Sequence, residues 1–262
     1  MTKTVNAALI GTLMNSGRMS LGDRDLLPAW SNDKRREITL ANLLAMESGL
    51  GFNENYGAVA DVTRMLYLEP DMAAFTETIP LEADPGSRFS YSSGSSVLLS
   101  KIWMDRIGDR ATALGYPSRA LFDPLGMTSA VMEPDAAGTF AGSSYLYATG
   151  RDWARFGLFL ARDGVWNGMQ LLPDGFVHLM QEPNAHSGGR FSEMQTWLPK
   201  ANDNMPLPAD TFYLQGHDGQ TIAVMPSSDL VVVRLGLTPR SLGYEPGLLF
   251  GAVAKATGVA GL

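Results

Sequence analysis

The stretch MTKTVNAALIG, residues 1–11, decides how the rest of the chain is read. Val5, Ala7, Ala8, Leu9 and Ile10 put an apolar helical pattern in motion by the fifth residue. The helix is expected over residues 5–16, with Val5, Ala8, Leu9, Thr12 and Leu13 on one face and Gly17 where a left-handed cap ends it. Its start is less ordinary. The first N–H groups of a helix need an acceptor from a Ser, Thr, Asp or Asn just ahead of the first turn, and Thr2 is the residue at hand. Lys3 is the one charge in this apolar run, and a lone lysine there ordinarily carries its ammonium to solvent.

Composition narrows the function classes. The chain has 262 residues, an apolar share of 45% and a net charge of −7, which suits one large or two small globular domains with a real core. Its basic triplet, Lys34-Arg35-Arg36, is too small a footprint for phosphate binding, so no nucleic-acid partner is expected. Without cysteine there is no disulfide framework, thiolate zinc site or cysteine nucleophile. His178, His186 and His217 lack H-E-x-x-H spacing, and no metal or other cofactor is expected. No apolar run is long enough for a membrane segment, and no signal peptide is legible, which leaves the compartment open.

Beyond the first helix the texture changes once. Thr39 caps a short helix in ITLANLLAMESGL, further short helices are expected over 61–68 and 71–78, and ADPGSRFSYSS (83–93) is a loop. A helix then starts at Gly94 and runs through Trp103, ALFDPLGM supplies a short one, and RDWARFGLFLARDG (151–164) a strong amphipathic one with its Arg and Asp residues mostly opposite the apolar face. After about residue 185, TFYLQGH, QTIAVMP and DLVVVRLGL read as antiparallel strands between turn signals, with residues 195–198 as a fourth. Residues 246–257 close the chain as a helix, with Pro246 in its first turn and Gly258 past its end. The order implies an α+β fold, an antiparallel sheet flanked by helices with a large helical part.

Two local signals add to Lys3. Tyr91 in FSYSSGSS sits on a loop that launches a helix, which equally suits a plain loop residue beside capping hydroxyls. His217 in QGHDGQ sits at an Asp-Gly that equally suits an ordinary hairpin turn.

Taken together, Lys3, Tyr91-Ser92-Ser93 and His217-Asp218-Gly219 resemble the three elements of the β-lactamase and penicillin-binding-protein superfamily of serine hydrolases: Ser-x-x-Lys, Tyr-x-Asn or Tyr-x-Ser, and Lys-Thr-Gly or a His-x-Gly variant. ITLANLLAMESGL, PLGM, RDWARFG and DGVWNGMQLLP are similar to the family's intervening text, so the resemblance runs almost end to end. FNENYG, with Tyr56, points to the class C-like esterases and 6-aminohexanoate-oligomer hydrolases.

The resemblance implies one β-lactamase/transpeptidase-like domain over 1–262: an active-site helix remnant (1–17), a mainly helical part (18–185), and C-terminal strands with a helix (186–262). It implies a base made by Lys3 and Tyr91, Ser93 holding Lys3 and the substrate amide, and His217 bonding Tyr91 or a substrate carboxylate. Gly219 would let substrate lie close, the Gln220 N–H would serve the oxyanion, and Tyr56 would shape the pocket. The partner is a small ester, amide or lactam, and His-Asp-Gly in place of Lys-Thr-Gly argues against β-lactam turnover.

In Ser-x-x-Lys the serine stands one helical turn before the lysine on the same face. Counting back from Lys3 passes Thr2 and Met1 and ends just ahead of the first residue. The expectation is therefore an N-terminally truncated chain, without the family's first strands, with no nucleophile of its own and with a sheet edge open to self-association. Two other readings remain: an inactive penicillin-recognising or regulatory binding module of the same fold, and an N-terminal-threonine hydrolase using Thr2.

Overall fold

The computed structural model describes residues 1–57, 59–199 and 207–259. The opening pattern becomes helix α1 (Thr2–Asn15), closed by Gly17 at φ 70° with the Arg18 N–H returning to the Leu13 carbonyl at 2.9 Å. The burial goes further than the one expected face. Every residue from Thr2 to Gly11 is buried, so α1 runs through the middle of the protein. Its polar side chains therefore bond inward: the Thr2 hydroxyl donates to the Ser144 carbonyl, Thr4 to the Gln195 carbonyl, and the Asn6 amide to the Ser96 carbonyl.

Around α1 lie α2 (Leu40–Leu44), α3 (Asp61–Tyr67), α4 (Met72–Glu77), α5 (Ser93–Ile107), α6 (Arg110–Leu114) and α7 (Asp123–Leu125). Caps fix several starts. Thr39 and Asn42 bond reciprocally at the head of α2, Asp71 accepts from the Ala74 N–H, and Ser92 accepts from the Ser95 N–H at 3.1 Å. Two small hairpins follow, β1 (Val131–Met132) with β2 (Leu146–Tyr147), and β3 (Val165–Trp166) with β4 (Met169–Gln170). Helix α8 (Gly150–Ala161) lies between them, and the short α9 (Phe176–Leu179) comes after. One charge of α8 departs from the amphipathic reading. Asp152 is buried, because its carboxylate accepts from the Ser129 N–H and hydroxyl at 2.9 and 2.6 Å.

The main sheet has the order β5 (Phe212–Gln215), β6 (Thr221–Met225), β7 (Leu230–Arg234), all antiparallel. Alternation along the strands divides the side chains between two layers. Phe212, Leu214, Ile222 and Val224 join the main core under α8, whereas Tyr213, Ala223 and Met225 meet Phe250 and Ala254 of α10 (Pro246–Ala256) on the other face. The fourth strand expected over 195–198 shrinks to isolated bridges at Trp197, one to Phe191 and one to Tyr213. Trp197 exchanges both backbone bonds with Tyr213, at 2.9 and 2.7 Å, while Gln195 at φ 61° breaks the extended run beside it.

Candidate active site

Lys3 does not reach solvent. It sits in the first turn of a helix buried all round, is 8% exposed, and its Nζ donates to the Ser93 hydroxyl at 3.1 Å and the Ser143 carbonyl at 3.3 Å. The same nitrogen lies 4.8 Å from the centroid of the Tyr91 ring. Burial alone would lower the basicity of Lys3, but the neighbouring Tyr91, Glu54 and Tyr56 overcome it, and the ammonium is held above the ordinary lysine range.

Tyr91 is positioned from both sides. The Ser90 N–H donates to the Met46 carbonyl at 2.8 Å, with Met46 in the left-handed region at φ 61°, which anchors the loop ahead of α5. Phe191 meets the Tyr91 ring edge-on at 5.8 Å between centroids, and Trp197 lies tilted against it at 5.2 Å. Ser93, the first residue of α5, is fully buried.

Ser93 meets a group that the sequence did not single out. The two carboxylate oxygens of Glu54 accept from the Ser93 N–H at 2.7 Å and the Ser93 hydroxyl at 2.5 Å. Tyr56, two residues on, stands over the same spot. Its phenol is pushed up by burial and by the charge of Glu54, against the opposing effects of Lys3 and a hydrogen bond to Ser93. Gly94 allows this approach, since a Cβ there would lie 2.7 Å from the Phe52 ring and 2.8 Å from Thr76 Cγ2.

His217 comes to the rim, its ring centroid 6.0 Å from that of Tyr56. It opens a 3₁₀ turn over His217–Gly219, in which Asp218 at φ 50° and Gly219 at φ 79° are both left-handed. The Gln220 N–H is engaged inside this turn, donating to the His217 carbonyl at 3.3 Å. Arg234 braces the turn by donating to the Gly219 carbonyl at 2.8 Å, and its guanidinium lies 4.0 Å over the Tyr244 ring. Beside the turn is a cavity of about 430 Å³ whose walls include Arg190, Trp197, Gln215, Asp218, Tyr244 and Glu245. The Met1 amine donates to the carbonyl of Gln215, one of these residues, at 2.6 Å.

Lys3, Tyr56, Tyr91 and Ser93 thus come together, with His217 beside Tyr56, while Gly219 lines the neighbouring cavity and Gln220 closes the turn. Glu54 and Arg234 were not singled out. The signal for Glu54 was its place two residues before Tyr56 in FNENYG, and that for Arg234 its place at the end of an otherwise apolar strand, opposite Thr221. Thr2 donates its hydroxyl to the Ser144 carbonyl at 2.9 Å.

Comparison with known proteins adds the context. A sequence profile of the beta-lactamase family matches residues 1–243. An uncharacterized protein of Alkalihalophilus pseudofirmus is 30% identical over 98 residues, a stretch covering 34% of this chain and 29% of that protein. A Bacillus anthracis structure described as a 6-aminohexanoate-dimer hydrolase superposes with a TM-score of 0.78 at 23% identity, over 99% of this chain and 70% of that one. A family VIII carboxylesterase gives a TM-score of 0.71 at 15% identity, over 96% of this chain and 81% of its own. Identities this low speak for the fold alone.

Proposed function

The chain belongs to the beta-lactamase family, and from that premise we propose that it forms the catalytic body of a serine hydrolase working through an acyl-enzyme on a small ester or amide. The observation that carries this reading is the buried Lys3, set against Tyr91 and Ser93. A base must be within reach of the proton that it removes, and a helix presents Lys3 to whatever stands one turn before it. The attacking serine is accordingly proposed at the position directly preceding Met1. The Met1 nitrogen lies against the carbonyl of Gln215, two residues before His217.

In this reading Lys3 and Tyr91 take the hydroxyl proton, and Tyr56 and His217 flank the substrate at the rim. Oxyanion stabilisation is assigned to the backbone of the His217–Gln220 turn, where the engaged Gln220 N–H must first leave the His217 carbonyl. Uncharged esters and linear amides are favoured over lactams bearing a carboxylate. Glu54 offsets the Lys3 ammonium through Ser93, Asp218 lines the cavity beside the turn, and the guanidinium of Arg234 is turned to backbone carbonyls and Tyr244.

The test is fluorophosphonate labelling, read by mass spectrometry, of the chain carrying a Ser directly ahead of Met1 together with its natural upstream residues. It is paired with assays on p-nitrophenyl esters, a 6-aminohexanoate dimer and nitrocefin. The expected result is a label on that serine and ester hydrolysis with little nitrocefin turnover. No label and no hydrolysis would favour a binding module of the same fold, and a label on Thr2 would favour the N-terminal-threonine chemistry.

A further inference from the structure

Glu54, Ser93 and Lys3 form an unbroken chain of hydrogen bonds. A serine hydroxyl has one proton to give and two lone pairs to offer. Here the proton goes to Glu54 at 2.5 Å, and a lone pair takes an N–H of Lys3 at 3.1 Å. With its donor so committed, Ser93 has none left for a substrate carbonyl, and its hydroxyl serves to connect a carboxylate to an ammonium. The link is shielded, since Ser93 is fully buried and Lys3 nearly so. Charge-assisted bonds in such surroundings are stronger than their counterparts in water.

We propose that Glu54 is a positioning residue that controls, through the Ser93 hydroxyl, whether Lys3 carries its proton, and so deepens the serine-hydrolase reading on which it rests. In the resting state the carboxylate at one end favours the ammonium at the other. To free the amine, a Lys3 proton moves to Ser93 Oγ while the Ser93 proton moves to Glu54. The products are a neutral amine, an unchanged hydroxyl and a carboxylic acid, with every proton accounted for. The amine then accepts the proton of the attacking hydroxyl. The other titratable groups facing Lys3 are Tyr91 from the loop ahead of α5, Tyr56 from the Glu54 loop, and the Met1 amine on its own helix, with His217 behind Tyr56.

A plainer role competes with this one, because Glu54 also accepts the Ser93 N–H at the start of α5, where a carboxylate stabilises a helix. Glutamine can still accept that N–H but carries no charge, so the two roles separate in Glu54→Gln. The experiment follows the Lys3 side chain by NMR in ¹³C-lysine-labelled 262-residue protein, its signal assigned by its loss in Lys3→Arg. The titration midpoint of Lys3 should fall by about one pH unit or more in Glu54→Gln. Glu54→Asp should leave it close to the parent. In a Ser93→Ala background, the same Glu54→Gln change should move the midpoint by less than half as much.

An unchanged midpoint in Glu54→Gln overturns the proposal, and so does an undiminished effect without the Ser93 hydroxyl. If Glu54→Gln does not fold, Ser93→Ala alone decides, since loss of the connecting hydroxyl must lower the Lys3 midpoint. No substrate is needed, so a chain that hydrolyses nothing can still pass this test, and an active one can fail it.

Discussion

Arg234 and Gly219 are joined across the open end of the sheet, the guanidinium Nη1 donating to the glycine carbonyl at 2.8 Å and to the Gly236 carbonyl at 2.9 Å. The other nitrogen donates to the Thr238 hydroxyl at 2.5 Å, and the Thr238 N–H reaches back to the Asp218 carbonyl at 2.7 Å. One side chain therefore holds the turn at Gly219 directly and at Asp218 through Thr238, the two successive residues that are left-handed being Asp218 and Gly219. The planar fork of arginine suits several carbonyls at once, and lysine cannot reproduce it.

Replacing Arg234 by Met should release that turn while leaving the three-strand register intact. Hydrogen exchange of peptides spanning residues 216–220 is expected to quicken, and Arg234→Lys should fall between the variant and the parent. In the serine-bearing chain proposed above, kcat/KM for p-nitrophenyl esters should drop by roughly tenfold to a hundredfold, since small misplacements of groups that line a reacting centre cost about this much. Unchanged exchange in the turn would show that Arg234 is not what holds it.

Gly94 gives a test of packing in which two effects of opposite sign compete. Alanine inside a helix ordinarily gains roughly 0.5–1 kcal/mol over glycine. Here its Cβ would stand 2.7 Å from the Phe52 ring and 2.8 Å from Thr76 Cγ2, and overpacking of this kind costs about 1–3 kcal/mol. Gly94→Ala should therefore destabilise in denaturant melts, and, by pushing Phe52 outward, it should also loosen the contact of Glu54 with Ser93. A stabilised variant would mean that the Phe52 loop gives way freely.

Periodicity and turn chemistry carried much of this architecture, because α1, α8 and β5 to β7 each present their apolar residues at the spacing their structure requires. The complete burial of α1 was not legible. Thr4 and Asn6 look like a polar flank in sequence, and they are buried because Gln195 and α5 cover that flank. Lys3, Tyr91 and His217 could be named from motif spacing. Glu54 could not, since a glutamate in a loop between asparagines looks solvated, and its partner Ser93 is far away in sequence. Nor could the fate of residues 195–198, where Gln195 turns left-handed and its amide donates to the Leu43 and Leu44 carbonyls at 3.3 and 2.6 Å.

Glu193 should give a pH dependence whose sign is fixed. Its carboxyl is raised above 4.5 first by burial and then by the charges of Glu47 and Glu182, with His186 acting against them. A group raised in the folded state contributes stability below its unfolded value and loses it as pH rises through the folded value. At neutral pH, then, Glu193 is ionised at a cost that glutamine does not bear. Glu193→Gln should melt at a higher temperature than the parent at pH 7 and at about the same temperature near pH 4. Thermal melts at the two pH values check this, and an equal gain at both would point to packing instead of charge.

The outer edge of β7 pairs with no strand among the described residues, although both faces of the strand are covered, by α8 on one side and α10 on the other. An open edge offers its N–H and C=O groups as a template for another chain. Apolar side chains frame this one: Leu237 is 74% exposed just past β7, and Leu248 is 67% exposed on α10. A second copy of the chain can satisfy both needs together, by adding its own β7 edge and covering the leucines. The 262-residue protein should accordingly sediment as a dimer or larger species at micromolar concentration and dissociate on dilution. Replacing Leu237 and Leu248 together by Lys should weaken that association by at least about tenfold, because each copy would bring two buried, unpaired charges to the contact. A monomer at every concentration would show that the β7 edge is not used for self-pairing, and association undiminished by the double variant would place the contact elsewhere on the surface.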